Sequence, residues 1–288
     1  MNLFIGLITH SGTRYPESST PQGLARSLGE DLAGRGLEVE VEVFAQDLWT
    51  PEILDTTPAV VRRSINAELE VEARWRVFHA ASSLTPAARL VLLLRKWNRL
   101  RRYIGLGHSA KNLRRGHMMI KRLLNIELAH LHLMQLAIDS GADWALIIED
   151  AAHGETRIIA DTLISLLSFG SQSEQPKFVN LSRSFTEERL GISAGLTPLQ
   201  IQRDSGEAMG FLSARKPVTN TVCAVLYRTD FLRSLMRHFA RIPLDPVIPI
   251  DWKLNAALME MYAAGDVVDG DSWLCQEAPI VQGSMHSE

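Results

Sequence analysis

The segment that most constrains the fold is 125–152, which reads NIELAHLHLMQLAIDSGADWALIIEDAA. Its first part has the apolar spacing of a helix, a turn follows at Gly141, and an apolar run of strand length comes next. A helix that leads through a short turn into a buried strand is typical of α/β proteins. The strand ends at Glu149 and Asp150, and ligands of open α/β sheets bind outside the carboxyl ends of the strands. The segment therefore predicts both a fold class and the position of a site.

The rest of the chain supplies the other elements of such a fold. Strand patterns occur at 2–9, 37–44, 177–181 and 221–227, with a short last strand at 279–283. Helical patterns occur at 22–35 (ending at Gly36), 156–169, 229–240, 252–264 and, in about three pieces, 58–140. Residues 183–217 show little periodicity and are predicted to be loop. We expect an α/β fold in a single domain, 1–288, with a basic helical insertion at 58–116.

Basic residues are concentrated in one part of the chain. Residues 73–126 contain thirteen Lys and Arg and no Asp or Glu, although the whole chain has a net charge of −3. Segregation of this kind is typical of a surface that meets anions. Because the segment has neither a nucleic-acid-binding motif nor an aromatic stacking pattern, we do not expect a nucleic-acid partner.

Within this basic segment, residues 89–104 have the pattern of an amphipathic helix. One face would carry Leu90, Leu93, Leu94, Trp97, Leu100 and Ile104, and the other Arg89, Lys96, Arg99 and Arg102. A basic amphipathic helix with an interfacial Trp is suited to an anionic membrane surface. The alternative is that its apolar face packs on the core or on a second subunit of a homo-oligomer.

Two features bear on the cellular location. The N-terminal MNLFIGLITH lacks the positive region and long apolar run of a signal peptide, and no apolar stretch reaches transmembrane length. The two cysteines, Cys223 and Cys275, lie in apolar contexts, which favours reduced core residues over a disulfide. We expect a cytoplasmic protein, with the basic helix as a means of peripheral attachment to the inner face of the membrane.

The helix before the acidic strand carries two polar residues on its apolar side. Glu127 and His130 are three positions apart, and an isolated buried carboxylate is costly unless a partner such as an imidazole lies beside it. Two interpretations follow: a structural pair that holds the helix to the sheet, or a pair that lines the ligand cleft.

The acids that end the strand also allow two interpretations. Glu149 and Asp150 could coordinate a divalent ion that bridges a diphosphate, or accept hydrogen bonds from ribose or sugar hydroxyls. Alternatively, they belong to a turn and cap a helix that starts near Glu155.

These motifs resemble those of a known enzyme family. The helix motif Glu127-Leu-Ala-His130-Leu131, followed by the strand ending Ile148-Glu149-Asp150-Ala151-Ala152, resembles the lipopolysaccharide-type glycosyltransferases of family 25. Weaker similarities occur at 219–230, 249–252 and 278–284, so the resemblance covers roughly 120–283. It implies a GT-A fold: a Rossmann-like, mixed and mostly parallel sheet flanked by helices. The sequence departs from the family at Ala151, where an acid is expected, and in the closer spacing of Glu127 and His130.

The resemblance implies a function and a set of site residues. The function is transfer of a sugar from a nucleotide-diphosphate donor to a hydroxyl acceptor, in polysaccharide, lipopolysaccharide or glycolipid synthesis. Glu149 and Asp150 would bind the donor, together with residues of the first β-α loop: Thr9, His10, Gly12 and Arg14. The plain alternative is that this loop is only a surface loop.

Three further roles follow from the same resemblance. Asp251 would be the general base on the acceptor hydroxyl, the alternative being a helix N-cap. Mn²⁺ or Mg²⁺ would be held by Asp150 and His286, although Ala151 removes one hard oxygen ligand. The alternative for His286, which the sequence favours, is an idle tail residue. Inversion and retention at the anomeric carbon both fit the sequence.

A second class of function stays open. A noncatalytic GT-A-like protein that binds a nucleotide or a partner is the alternative, and Ala151 is the residue that favours it. The sequence contains no P-loop, no G-x-G-x-x-G, no H-E-x-x-H and no G-x-S-x-G motif.

Overall fold

The computed structural model describes residues 1–9, 21–45, 57–80, 85–105, 110–171, 174–182, 186–187, 192, 195–202, 208–219 and 221–282. The strands in these ranges are β1 (Asn2–Ile8), β2 (Glu38–Phe44), β3 (Trp144–Glu149), β4 (Ala152–His153), β5 (Phe178–Asn180), β6 (Leu196–Gln202), β7 (Ala208–Ala214), β8 (Ala224–Arg228), β9 (Ser272–Cys275) and β10 (Val281–Gln282). The helices are α1 (Pro21–Gly34), α2 (Pro58–Ala80), α3 (Pro86–Tyr103), α4 (Ala110–Asp139), α5 (Thr156–Leu167), α6 (Thr229–Phe239) and α7 (Ile250–Ala264). No helix in the described part of the chain is long and apolar enough to cross a membrane.

Eight strands form one mixed sheet in the order β2-β1-β3-β8-β5-β9-β7-β6. β1 is parallel to β2 and β3, and β5 is parallel to β9. β8 runs antiparallel to both of its neighbours, and β6 and β7 form an antiparallel edge. The carboxyl ends of β1, β2, β3, β5 and β9 therefore meet at one edge of the sheet, and the predicted α/β fold class is confirmed.

The order of the first three strands makes that edge a topological switch point between β1 and β3, the place where open α/β sheets have their crevice. β2 and β3 lie on opposite sides of β1, so the chain leaves β1 towards one side and returns on the other. Ligands of open α/β sheets bind at such a switch point. Ile8 is the register partner of Glu149, which places the end of β1 directly beside the acidic end of β3.

Both faces of the sheet are covered by helices. Successive side chains of a strand point to opposite faces, and β3 is apolar on both. Leu146 and Ile148 pack with α1 and α5 on one face, whereas Ala145 and Ile147 pack with α4, α6 and α7 on the other. This arrangement explains why β3 reads as a continuous apolar run.

The predicted helical stretch is confirmed as three helices. α4 has 30 residues, which corresponds to a length of about 45 Å. Its C-terminal half packs on the sheet, and its N-terminal half contributes Ile120 and Leu124 to a separate apolar cluster with Val61 and Ile65 of α2. α4 is thus shared between the sheet and the basic helices.

The prediction of loop for 183–217 is wrong, because β6 and β7 form a hairpin there. β6 reads LTPLQIQ and lies at the edge of the sheet, where most of its side chains are not buried. The sequence of β6 shows no apolar alternation because its side chains are mostly in solvent. Its position is fixed by backbone pairing with β7. The four-residue strand β9 was also missed, and the predicted last strand pairs with β4 outside the main sheet.

The contact between α4 and its neighbours depends on a glycine. A Cβ at Gly116 would lie 2.9 Å from the carbonyl oxygen of Tyr103 and 3.1 Å from Val61, whereas a Cβ at Gly34 would meet nothing within 4 Å. We expect Gly116→Ala to lower the free energy of unfolding by about 1–3 kcal/mol through overpacking, although Ala favours a helix by about 1 kcal/mol. Urea unfolding measures this, with Gly34→Ala as the control that should be neutral or stabilising. Equal stabilisation by both substitutions would contradict the close packing.

Candidate functional site

The crevice between β1 and β3 brings together two groups of predicted donor-binding residues. Thr9 is buried, and its N–H donates a hydrogen bond of 2.9 Å to the carbonyl of Phe44. Because Ile8 pairs with Glu149, Thr9 lies at the same edge as Glu149 and Asp150. The other predicted members of the loop lie outside the described residues: His10, Gly12 and Arg14.

The Glu149 carboxylate is held by a buried imidazole. His130 Nε2 lies 3.0 Å from Glu149 Oε1, and the His130 side chain is only 1% exposed. The Glu149 N–H donates to the carbonyl of Cys223 at 2.8 Å, so the backbone is fixed as well. His130 therefore orients the Glu149 side chain from the α4 side of the crevice.

Glu127 lies on the same face of α4 as predicted, but its partner is not His130. Lys253 of α7 donates to Glu127 Oε1, and both side chains are almost completely buried. Lys253 Nζ also approaches the carbonyl of Pro243 at 3.4 Å. The ammonium ion supplies the full opposite charge that a buried carboxylate needs. The expected Glu127–His130 pair is accordingly replaced by two pairs, one to α7 and one to β3.

The buried position also changes the acidity of Glu127. Loss of solvent raises the pKa of the Glu127 carboxyl, and the positive charge of Lys253 opposes this rise. Glu127 Oε2 is buried without a hydrogen-bond partner among the described residues. This carboxylate is therefore a structural anchor, since both the desolvation and the pairing occur away from solvent.

Asp251 lies at the N-terminus of α7, close to the acidic end of β3. Pro249 is the N-cap of α7, so the alternative of Asp251 as N-cap is wrong. Desolvation raises the pKa of Asp251 to about 6, and the negative charges of Glu68 and Glu149 raise it as well, while the backbone N–H of Trp252 lowers it. The structure thus brings Asp251 within electrostatic range of Glu149, from a separate element.

The helix α4 constrains the positions of both Glu149 and Asp251. α4 reaches β3 through His130 and α7 through Glu127, three residues earlier. Lys253, the partner of Glu127, lies two residues after Asp251 on α7. A shift of α4 would consequently move Glu149 and Asp251 together.

A buried polar network behind the crevice was missed by sequence reasoning. Thr219 Oγ1 donates to Asn180 Oδ1 at 2.9 Å, and Asn255 Oδ1 accepts from the Thr219 N–H at 3.1 Å and from Trp75 Nε1 at 3.2 Å. The Asn255 amide returns a bond of 3.2 Å to the Thr219 carbonyl. These bonds tie the segment before β8 to β5, α7 and α2. The sequence signal for this network was Asn255, a polar residue on the buried side of the predicted helix 252–264.

The structure does not support the alternative that Glu149 and Asp150 cap α5. α5 begins at Thr156, and its N-cap is Glu155, which makes no side-chain capping bond. The two-residue strand β4 stands between the acids and α5, and its Ala152 pairs with Gln282 of β10. The acidic end of β3 therefore faces the crevice edge and not the start of α5.

The predicted metal ligands do not make up a site within the described residues. No group of three or more His, Cys, Asp or Glu side chains there could hold a metal ion. Glu149 is bonded to His130, and Ala151 carries no ligand atom. His286 lies outside the described residues, which end at Gln282 beside Ala152. Because Mg²⁺ is usually bound through one or two carboxylates together with waters and substrate phosphates, Asp150 and Glu149 are the described residues that could contribute to such a site.

Comparison with known proteins adds no family to this geometry. The sequence matches no protein-family model and no curated protein. The chemistry of the site consequently rests on its own residues: an imidazole-held carboxylate at Glu149, a second acid at Asp150 and a carboxyl of raised pKa at Asp251.

The buried Glu127–Lys253 pair should dominate the stability of the site. We expect Lys253→Met to lower the free energy of unfolding by about 3–5 kcal/mol, because the Glu127 charge is left buried and unpaired. The double variant Lys253→Met/Glu127→Leu should recover most of this loss, since no buried charge remains. Urea unfolding of the single and double variants measures the difference.

A matched control removes an exposed pair. Arg215 and Asp269 lie 3.6 Å apart with side chains that are mostly in solvent. Arg215→Met should change the free energy of unfolding by less than about 1 kcal/mol. A double variant as unstable as Lys253→Met would show that the loss of stability does not come from an unpaired charge on Glu127.

Proposed function

We propose that this protein is a nucleotide-sugar-dependent glycosyltransferase of the GT-A type, which transfers a sugar from a nucleotide-diphosphate donor to a hydroxyl acceptor in carbohydrate synthesis. The observation that carries the proposal is the meeting of Glu149 and Asp150, at the switch point between β1 and β3, with Asp251 on a separate helix. Donor and acceptor groups need to meet at such a point, with the base on the acceptor side.

The sheet supports the same proposal. A mixed, mostly parallel sheet with helices on both faces is what the resemblance to family 25 implies. The similar segments, 120–283, include β3, β8 and the start of α7, which are the elements that border the crevice. A cytoplasmic location, which nucleotide-sugar donors would suit, is part of the proposal, and the buried free cysteines are compatible with it.

In the proposed reaction, each residue acts on a stated atom. Asp251 accepts the proton of the acceptor hydroxyl as that oxygen attacks the anomeric carbon. The bond from the anomeric carbon to the donor phosphate oxygen breaks, and its electron pair leaves on the nucleoside diphosphate. A single displacement of this kind inverts the anomeric centre.

The remaining residues position the donor. Asp150 accepts hydrogen bonds from donor hydroxyls, and Glu149 does so with its orientation set by His130. The first β-α loop, which starts after Thr9, lies at the edge where the nucleotide would sit. A bound Mn²⁺ or Mg²⁺ would supply charge neutralisation of the diphosphate.

The second candidate is a noncatalytic GT-A-like protein that binds a nucleotide or a partner. Ala151 at the third position of the acidic motif favours it, and so does the engagement of Glu149 by His130. Turnover of the donor separates the two functions, because only the enzyme releases free nucleoside diphosphate.

Nucleotide binding is the first test. We expect one of UDP, GDP, CDP, ADP and dTDP to raise the unfolding midpoint in a thermal-shift screen, since a ligand that binds the folded state stabilises it by mass action. The screen is run with and without Mn²⁺. A shift that needs Mn²⁺ would support a metal held at Asp150, and a shift without it would support a metal-free transferase. If none of the five changes the midpoint, the nucleotide-sugar proposal fails.

The role of Asp251 is tested with the sugar donor of the nucleotide that binds. Asp251→Asn should lower kcat/KM by about 10²–10⁴-fold, the usual contribution of a general base, while the nucleotide-induced thermal shift is retained. Asp269→Asn, an exposed acid elsewhere on the protein, serves as the matched control and should keep full activity.

The pH profile gives an independent readout. The base is active when ionised, so wild-type kcat/KM should fall as the pH drops through about 6, the pKa of Asp251. The acid limb should be absent from the residual activity of Asp251→Asn. An unchanged limb in that variant would assign the base to another residue.

A further inference from the structure

The apolar side of α3 faces solvent. Leu90, Val91, Leu93, Leu94 and Trp97 are between 54% and 61% exposed. No residue of α3 itself is buried, so the alternative that this face packs on the core of its own chain is wrong for Leu90, Leu93, Leu94 and Trp97, whereas Leu100 and Ile104 do pack on an apolar cluster. Contiguous exposed apolar patches on soluble proteins mark sites of interaction.

The opposite side of α3 is attached to the protein by charge. Arg95 donates to both oxygens of Glu72 at 2.6 Å, and Arg99 pairs with Glu68. Both acids are buried on α2 and lie under the arginines. Burial raises the pKa of Glu68, and the charge of Arg99 opposes that rise. The inward side of α3 therefore carries Arg95 and Arg99 together with apolar residues such as Leu92, while Leu90, Leu93, Leu94 and Trp97 are left exposed on the outward side.

One side of α3 contributes to an apolar cluster, through Leu92, Leu100 and Tyr103. Leu100 and Ile104, which the sequence placed on the same face as Trp97, pack with Ile120 and Leu124 of α4. The exposed stripe is accordingly Leu90, Leu93, Leu94 and Trp97, which recur at helical spacing.

A basic cavity lies between α3 and α4. Its volume is about 950 Å³, and apolar side chains such as Met119 and Leu123 also line it. Its cationic lining is Arg99, Arg102, Lys111, Arg114, Arg115 and Arg122. Arg99 pairs with Glu68, whereas none of the other five forms an ion pair with a residue in the described part of the chain.

The stripe and the cavity are parts of one surface. Arg101 lies four residues after Trp97, which places it in line with the stripe. A smaller depression of about 400 Å³ is lined by Arg101, Arg102 and Arg115, and the last two also line the basic cavity. The surface therefore passes from exposed apolar side chains through arginines into a cationic cavity.

This combination selects one occupant among the anions. A soluble phosphate or a nucleic acid would neutralise the cations but would leave the aliphatic stripe in water. A second copy of the chain would bring the same positive charge against itself in a two-fold contact. An anionic phospholipid surface satisfies both parts, since its phosphates meet the cations and its interfacial region takes up Leu and Trp side chains.

We propose that the α3–α4 surface docks on an anionic phospholipid bilayer, with Leu90, Leu93, Leu94 and Trp97 in the interfacial region and the cavity cations on lipid phosphates. The exposed Met118 and the apolar lining beneath the arginines contact the glycerol and upper acyl segments. This docking does not depend on sugar transfer, and the nucleotide screen measures that function separately.

Vesicle cosedimentation of the full chain tests the proposal. Vesicles of equal parts phosphatidylcholine and phosphatidylglycerol should sediment the wild-type protein, and vesicles of phosphatidylcholine alone should not. Arg114→Gln/Arg115→Gln/Arg122→Gln should weaken the binding on the order of 100-fold, from the usual attraction of three cations to an anionic surface. The matched control, Arg157→Gln/Arg233→Gln/Arg241→Gln, removes three exposed cations elsewhere and should bind like wild type.

A second variant tests the stripe. Leu93→Gln/Leu94→Gln/Trp97→Gln should also release the protein from anionic vesicles, while circular dichroism stays unchanged because these side chains are already exposed. Loss of binding in the control cation variant equal to that in the cavity variant would overturn the proposal in favour of unspecific attraction.

The two competing kinds of occupant, soluble anions and a second copy of the chain, give distinct results. Inorganic phosphate or single-stranded DNA that binds wild type and the stripe variant equally well would show a site for soluble anions. A dimer in light scattering that the stripe substitutions dissociate would assign the stripe to a second copy. Either result, or no binding to anionic vesicles, would overturn the membrane proposal.

Discussion

The structure depends on one buried ion pair, between Glu127 and Lys253. Removing two charges from water costs several kcal/mol each, so such a pair persists only where the helices that carry it are held in one arrangement. Here it fixes α4 against α7 at the depth of the sheet. His130 follows Glu127 by one turn and holds Glu149, while Asp251 precedes Lys253 by two residues. The pair therefore bears on the positions of both Glu149 and Asp251.

The same length of α4 explains how the basic helices are attached. Its N-terminal half leaves the sheet and forms an apolar cluster with α2, and α2 in turn holds α3 through buried acids. Because Glu68 and Glu72 need cationic partners, they draw Arg95 and Arg99 inward. The apolar residues on the other side of α3 are left in solvent as a direct consequence. Burial of the ion pairs between α2 and α3 thus accompanies the exposure of Leu90, Leu93, Leu94 and Trp97 on the other side of α3.

The sequence was sufficient for the elements that bury an apolar face. β1, β3, β8 and the helices were predicted because their periodicity reflects their own burial. β6 and β9 were not, since an edge strand and a four-residue strand take their position from pairing partners far along the chain. For the same reason the partners of Glu127 and His130 were missed: Lys253 and Glu149 reach them through tertiary packing, which local spacing does not encode. The position of Glu149 at the end of a strand could, in contrast, be predicted from the local sequence pattern alone.

The charge around the crevice constrains how an anionic donor could bind there. Glu68 and Glu149 both act on Asp251 as like charges, and the pKa of the Cys223 thiol is raised by burial and, in addition, by the negative charges of Glu149 and Asp150. A diphosphate placed beside these groups would meet a negative potential. The thirteen cations of 73–126 leave 17 basic and 33 acidic residues in the rest of the chain. Under the proposed function, a bound cation or Arg14, which the sequence places in the first β-α loop, would supply compensating charge, whereas protonation of Asp251 would lower the negative charge but remove the proposed base. For the proposed sugar transfer near neutral pH we therefore expect a positive group at the diphosphate, and Ala151, where the resemblance implies an acid, leaves one negative charge fewer for this group to balance.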